Sequence, residues 1–203
     1  MNMSWYLLIL ICLAVGFLVI REIEGLYTEE ILAMSPVLGI MIISYINYGL
    51  AHIKYPGSKS ILISSLATLI SVFILFKYRS GRRKHERLFS STLIFIIIAP
   101  ALFLSYISWR TTIPHDENGN LLSAGTTWGD LPFHLALITS FVYGKNIPPV
   151  YPILPNKNLG YPFMFDFYSS LLVICGASLR QSIMIPNIIF YLSISVLVAC
   201  LSW

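Results

Sequence analysis

Charged residues are scarce in this chain. Asp, Glu, Lys and Arg make up 11% of its 203 residues, and hydrophobic residues make up 57%. A typical soluble domain has about 25% charged and about 45–50% apolar residues. The net charge of +4 does not indicate nucleic-acid binding, because the basic residues are not spread over a soluble face. This balance excludes an ordinary soluble domain and predicts an integral membrane protein.

Cysteine is also scarce, and its positions carry no chemistry. Cys12, Cys175 and Cys200 all fall inside apolar segments, where cysteine packs as a small hydrophobic residue. No Cys-x-x-Cys pair and no Cys/His spacing is present. The sequence therefore predicts neither a zinc site nor a redox site. It also contains no internal repeat.

Long apolar runs, by contrast, are abundant. Most approach the ~20 residues that a helix needs to cross the hydrocarbon layer. The first run lacks a basic n-region and an A-x-A cleavage site, so we expect a retained anchor and not a signal peptide. The sequence thus predicts an all-α polytopic membrane protein with about six transmembrane helices. The candidate spans are 4–20, 31–53, 60–76, 89–109, 163–179 and 183–203.

These spans divide the chain into three parts. Residues 1–109 are predicted to form a four-span bundle, 110–162 an extracytoplasmic loop, and 163–203 a two-span helical hairpin. The chain stops at Trp203, at the end of an apolar span and without a polar tail. We therefore expect it to be the N-terminal part of a longer membrane protein.

Basic residues concentrate between the third and fourth predicted spans. Because cytoplasmic loops carry an excess of Lys and Arg, the 77–88 loop is predicted to be cytoplasmic. Counting crossings then places the N-terminus and the 110–162 loop outside, and Arg180 inside. We expect the plasma membrane of a prokaryote. The basic residues of the loop are Lys77, Arg79, Arg82, Arg83, Lys84 and Arg87.

The long outer segment contains WGDLPFHLALITSFVYGKNIP, residues 128–148. This stretch predicts a helix over 130–144. Asp130 suits the N-cap position, Gly144 suits the position just after the helix, and the prolines that follow prevent its continuation. The helix is too short and too polar-capped to span a membrane. We expect it to lie along the outer surface of the membrane. Its apolar stripe comprises Leu131, Leu135, Ile138 and Val142.

Three titratable residues are candidates for chemistry. Asp130 and His134 lie four residues apart, on one face of the predicted helix. Together they are suited to accept a proton or to bind a divalent cation; alternatively, Asp130 is only a cap and His134 an interfacial side chain. Asp166 lies near the start of the fifth span, where an acid is costly and therefore a functional candidate. Alternatively, Asp166 pairs with Arg110. We expect the two acids and His134 to form one site.

Basic residues of the outer segment are candidates for a different role. Arg110, Lys145 and Lys157 have the charge needed to hold a phosphate group. Alternatively, each is a solvated surface residue.

From residue 128 onwards, a loop acid precedes an amphipathic helix that ends in GKNIPPVYP. LGYPF then leads into a span that closes with CGASLRQSIMIPNIIFYL. This order of features resembles that of the GT-C-type membrane glycosyltransferases, which include the protein-mannosyltransferase-like families. The resemblance matches the loop acid, the helix exit, the return to the membrane and the following turn to Asp130, Gly144, Tyr161-Pro162, Gly176 and Arg180.

The resemblance implies transfer of a sugar from a polyprenyl-phosphate carrier to an acceptor hydroxyl, with inversion. Asp130 would act as the base or hold a divalent cation such as Mg²⁺ or Mn²⁺ together with His134, and Asp166 is the second catalytic candidate. The expected partners are membrane lipids and the lipid-linked sugar, and no nucleic acid. The other function class is a non-enzymatic transporter or a scaffold that binds lipid-linked glycans. The substrate-binding candidates are His134, Arg110, Lys145 and Tyr161.

Overall fold

The structure is a computed structural model that describes residues 4–77, 91–114, 116–118, 120, 122, 129–154 and 157–202. These residues form seven α-helices and no extended strand, which confirms the all-α prediction. One isolated antiparallel bridge joins Val150 to Asn158. The basic loop predicted at 77–88 lies, beyond Lys77, outside the described residues. The helices are α1 (Ser4–Ile20), α2 (Thr28–Ala51), α3 (Ser58–Lys77), α4 (Ser91–Thr111), α5 (Leu131–Gly144), α6 (Met164–Ile174) and α7 (Leu179–Ser202).

Among the residues that the structure describes, three helices are long and apolar enough to cross a membrane. They lie at Thr28–Ala51, Ser58–Lys77 and Leu179–Leu201. α1 has 17 residues and α6 only 11. At 1.5 Å per residue α6 is ~16 Å long, about half of the ~30 Å hydrocarbon layer. The helices agree with an integral membrane protein.

The closest helix packing joins α1 to α2. A Cβ atom added at Gly39 would overlap the carbonyl oxygen of Cys12, and one added at Gly16 would overlap that of Ser35. Each helix therefore brings two small residues, four apart, to the crossing. Small residues let helix backbones approach closely, and in lipid this packing is a main source of helix association. Shape complementarity thus holds this pair together.

α6 is the central helix of the bundle. It contacts α1, α2, α3, α5 and α7, and every residue from Asp166 to Leu172 is buried. Gly176 ends it in a left-handed conformation, with φ of 101°. The N–H of Ala177 then donates to the carbonyl of Leu172, as in a Schellman motif. The apolar run at 163–179 is therefore a short helix followed by a tight turn.

The turn after α6 lies beside the end of α4. The Arg180 side chain donates to the carbonyl oxygen of Trp109, and its guanidinium carbon lies 4.6 Å from the centre of the Trp109 ring. Trp109 is close to the point where α4 enters the long 110–162 segment. The turn that bears Arg180 therefore lies next to the start of that segment. The side of the membrane on which Arg180 lies stays a prediction.

α5 begins and ends close to the predicted bounds of 130–144. Its exit differs from the prediction, because Gly144 is the last helical residue and Lys145 adopts the left-handed conformation, with φ of 50°. The Asn146 side chain fixes this exit by donating to the carbonyl of Val150 (2.8 Å) and accepting from its N–H (2.9 Å). The placement of Gly144 just after the helix is therefore wrong.

Candidate functional site

A cavity of about 500 Å³ lies where α5, α6 and α7 meet, next to the end of α4. All three titratable candidates from the sequence line it, although Asp166 is far from the other two along the chain. Two of its walls are polar and aromatic, and the wall from α7 is mainly apolar. The lining residues are Thr112, Asp130, Leu131, His134, Tyr161, Pro162, Phe165, Asp166, Ile183, Asn187 and Phe190.

Asp166 and His134 form a direct pair in this cavity. The ring Nδ1 of His134 lies 2.9 Å from one carboxylate oxygen of Asp166 and 3.1 Å from the other. The Asp166 side chain is 1% exposed, whereas that of His134 is 31% exposed. An ionised carboxylate can only accept hydrogen bonds, so Nδ1 carries the proton in this pair. The other ring nitrogen, Nε2, is therefore the one available to a ligand.

Aromatic packing between α5 and α6 holds the pair in place. The Phe141 ring centre lies 5.5 Å from that of Phe167 and 5.9 Å from that of Phe163. The hydroxyl of Tyr55, from the α2–α3 connection, donates to the carbonyl oxygen of Phe141. Phe141 lies two turns beyond His134, so these contacts fix the helix that carries the histidine against the helix that carries Asp166.

Burial changes the acidity of Asp166. This residue lies in the first turn of α6, outside the helices that are long enough to cross a membrane among the described residues. Burial raises the pKa of its carboxyl to about 6, and the neighbouring His134 opposes that rise. Desolvation penalises the charged form, while a nearby positive charge and a hydrogen bond to the carboxylate favour it. Contact with His134 therefore favours the ionised form of Asp166.

Asp130 is the exposed acid of the cavity. It occupies the N-cap position of α5, and its carbonyl oxygen accepts the N–H of His134 at 3.1 Å. Its carboxylate makes no capping hydrogen bond, so the interpretation of Asp130 as a side-chain cap is wrong. The carboxylate is therefore available at the edge of the cavity.

Aromatic rings border His134 on the side of the return segment. Tyr161 meets the His134 ring edge-on, with 5.8 Å between the ring centres. Phe133 lies 5.2 Å from Tyr161 and 5.3 Å from Tyr151. Tyr161, a substrate-binding candidate, therefore lies in the cavity and remains 41% exposed.

Sequence reasoning missed two polar residues of the cavity, Asn187 and Thr112. Asn187 is a polar residue inside a predicted span and one helical turn after Ile183, and that position could have identified it. Thr112 has no comparable signal, because it follows directly on the polar end of α4.

The predicted phosphate-binding cations lie elsewhere. Arg110 and Lys145 are both exposed, and neither lines the cavity. Among the cavity residues that the structure describes there is no Lys or Arg. Asp166 pairs with His134 and not with Arg110, so that alternative is wrong. The described cavity carries acids and a histidine without a balancing cation.

The donor set does not fit a resident metal ion. Asp130 and His134 are the predicted ligands, and Asp166 is paired with Nδ1 of His134. The Asp130 carboxylate and Nε2 of His134 are then the two donors left at this site among the described residues. Within the described ranges, no three His, Cys, Asp or Glu side chains come together in a way that could hold a metal. Structural and catalytic metal sites normally take three or four protein ligands.

No protein-family model, curated protein or solved structure matches this chain. The resemblance to the GT-C-type glycosyltransferases therefore stays a prediction.

Proposed function

We propose that this chain acts as a membrane glycosyltransferase, moving a sugar from a polyprenyl-phosphate carrier to an acceptor on the outer face of the membrane. One observation carries the proposal: Asp130, His134 and Asp166 converge on a single cavity among apolar helices. A volume of about 500 Å³ falls in the usual range of small-ligand sites. The cavity is large enough for a sugar and the hydroxyl that attacks it.

The charge of the cavity suits this reaction. Glycosyl transfer develops positive charge on the anomeric carbon in an oxocarbenium-like transition state. The carboxylates of Asp130 and Asp166 supply negative charge, and water screens that of Asp166 little because its side chain is buried. The same charge disfavours a phosphate between the two acids. The carrier phosphate would therefore lie outside the space between them, at the edge of the cavity.

The walls also suit a lipid-linked donor. Phe165, Ile183 and Phe190 line the cavity on its apolar side, and α7, which bears the last two, is long and apolar enough to cross the membrane. A prenyl chain could follow α7 while the sugar lies near Asp130. We place the 110–162 segment and the turn that bears Arg180 together on the outer side. Because α6 is too short to cross the membrane, the number of spans is then smaller than the six predicted from the sequence.

Transfer of labelled sugar from polyprenyl-phosphate donors, measured in membranes that contain the full chain, tests this function. We expect Asp130→Asn and Asp166→Asn each to lower the transfer rate by about 100-fold or more, the usual scale for a lost acid–base or charge-stabilising group. Asp116→Asn makes the same chemical change in the outer segment, away from the cavity, and should keep the rate.

Wild-type rates in both cavity variants would contradict the proposal. Saturable binding of the lipid-linked sugar without transfer would instead favour the non-enzymatic scaffold.

A further inference from the structure

We propose, on the basis of the glycosyltransferase function above, that His134 takes the proton from the acceptor hydroxyl and that Asp166 is its positioning residue. The resemblance assigned the proton transfer to an acid, Asp130. The geometry of the cavity favours the histidine, for reasons of access and of hydrogen bonding.

Asp166 is poorly placed to meet a substrate. Its side chain is only 1% exposed, and both of its oxygens lie within hydrogen-bonding distance of His134 Nδ1. A carboxylate held in this way fixes the tautomer and orientation of an imidazole, and it stabilises the imidazolium that forms on proton uptake. Asp166 therefore acts through His134.

His134 is accessible where Asp166 is not. Its side chain is 31% exposed and lines the cavity. Because Nδ1 carries the proton bound to Asp166, Nε2 presents a lone pair that can accept another proton. Tyr161 packs against one edge of the ring at 5.8 Å and restricts its rotation.

Asp130 is accessible, but its carboxylate is not held in position in the way that the His134 ring is. The structure shows its carboxylate exposed and without a side-chain hydrogen bond to the first turn of α5. Nothing described holds it in one orientation. Its place at the edge of the cavity suits binding of sugar hydroxyls and charge stabilisation.

The acceptor oxygen forms a bond to the anomeric carbon while the bond from that carbon to the phosphate oxygen breaks. The electron pair leaves with the polyprenyl phosphate. The acceptor proton moves to Nε2 of His134, and the resulting imidazolium remains bound to the Asp166 carboxylate. Release of that proton to water restores the neutral histidine.

The arrangement of the histidine can be tested without any activity. Long-range ¹H–¹⁵N spectra of the full chain labelled on histidine nitrogen report which ring nitrogen carries the proton. The chain has four histidines, and His134→Gln identifies the signal of interest. We expect His134 to be protonated on Nδ1 in the wild type and to lose this preference in Asp166→Asn. Asp130→Asn changes an acid of the same cavity that is not paired with the His134 ring, and it should leave the Nδ1 signal of His134 unchanged.

Kinetics supply the second readout. We expect His134→Gln and Asp166→Asn each to lower kcat by about 100-fold or more, with KM within about threefold of wild type. Ser169→Ala is the matched control in α6, because the buried Ser169 hydroxyl has no hydrogen-bond partner among the described residues. It should keep both constants.

The outcomes separate the two proposals. Measurable transfer that His134→Gln leaves unchanged would overturn the role of His134 while glycosyl transfer stands. An Nδ1 signal unaffected by Asp166→Asn would overturn the positioning role. No transfer from any polyprenyl-phosphate sugar would overturn both proposals.

Discussion

Two contacts in this molecule hold helices together by opposite means. Between α1 and α2, Gly16 and Gly39 let the backbones approach until no Cβ fits. Between α5 and α6, a buried carboxylate meets a histidine beside a cavity, with aromatic rings packed around them. The first contact depends on shape and tolerates no added atom. The second depends on charge and leaves space for a ligand, so stability and function reside in different parts of the chain.

We expect the largest loss of stability from disrupting the contact between α1 and α2. Gly39→Val places a branched side chain against the backbone of α1, where even a Cβ would overlap the Cys12 carbonyl oxygen. We expect the free energy of unfolding to fall by about 3 kcal/mol or more, or the variant to fail to fold. Thermal unfolding in detergent measures this change. Gly49→Val lies in the same helix with open space around it and is the control. Equal melting of both variants would contradict the glycine packing.

We expect a smaller loss of stability from removing the contact between the end of α4 and the turn before α7. Arg180→Gln removes the bond to the Trp109 carbonyl and the contact with its ring. We expect the free energy of unfolding to fall by about 2 kcal/mol, because a charged hydrogen bond and a cation–π contact are lost together. Arg110→Gln removes an exposed cation from the same end of α4 and should change the melting temperature little. If Arg110→Gln proved the more damaging, the position assigned to the turn would be wrong.

We expect the smallest change in stability from a substitution at the C-terminal end of α5. Lys145 adopts a left-handed conformation, which costs a residue with a Cβ about 1–2 kcal/mol relative to glycine. Lys145→Gly should therefore raise the stability by about 1 kcal/mol, whereas Lys145→Ala should not. A stabilising alanine, observed in the same unfolding measurement, would show that the lysine charge and not the backbone conformation sets the cost.

The sequence predicts well what depends on local pattern. The all-α class and the bounds of α5 follow from apolar periodicity and from the prolines after Gly144. Asp166 stood out because an acid in an apolar run is costly. Its pairing with His134 could not be predicted, because the two residues lie on different helices and no periodicity relates them. The length of α6 was hidden too, since the apolar run at 163–179 continues past Gly176 and reads as a single span.

The cations show a different limit of sequence reasoning. Arg110 and Lys145 carry the right charge on the expected segment, yet neither reaches the cavity. Counting spans predicts the side of the membrane for Arg180, but it does not predict the contact of Arg180 with Trp109 at the end of α4. Charge can be read from a sequence, but its location depends on how many helices cross the membrane.

A double-mutant cycle on transfer activity tests the central pair most directly. We predict that His134→Gln and Asp166→Asn each lower kcat by about 100-fold or more, and that the double variant is no slower than the worse single variant. Residues that act as one unit show this non-additivity. Losses that multiply in the double variant would mean that the two side chains act independently, and would contradict a unit formed by Asp166 and His134.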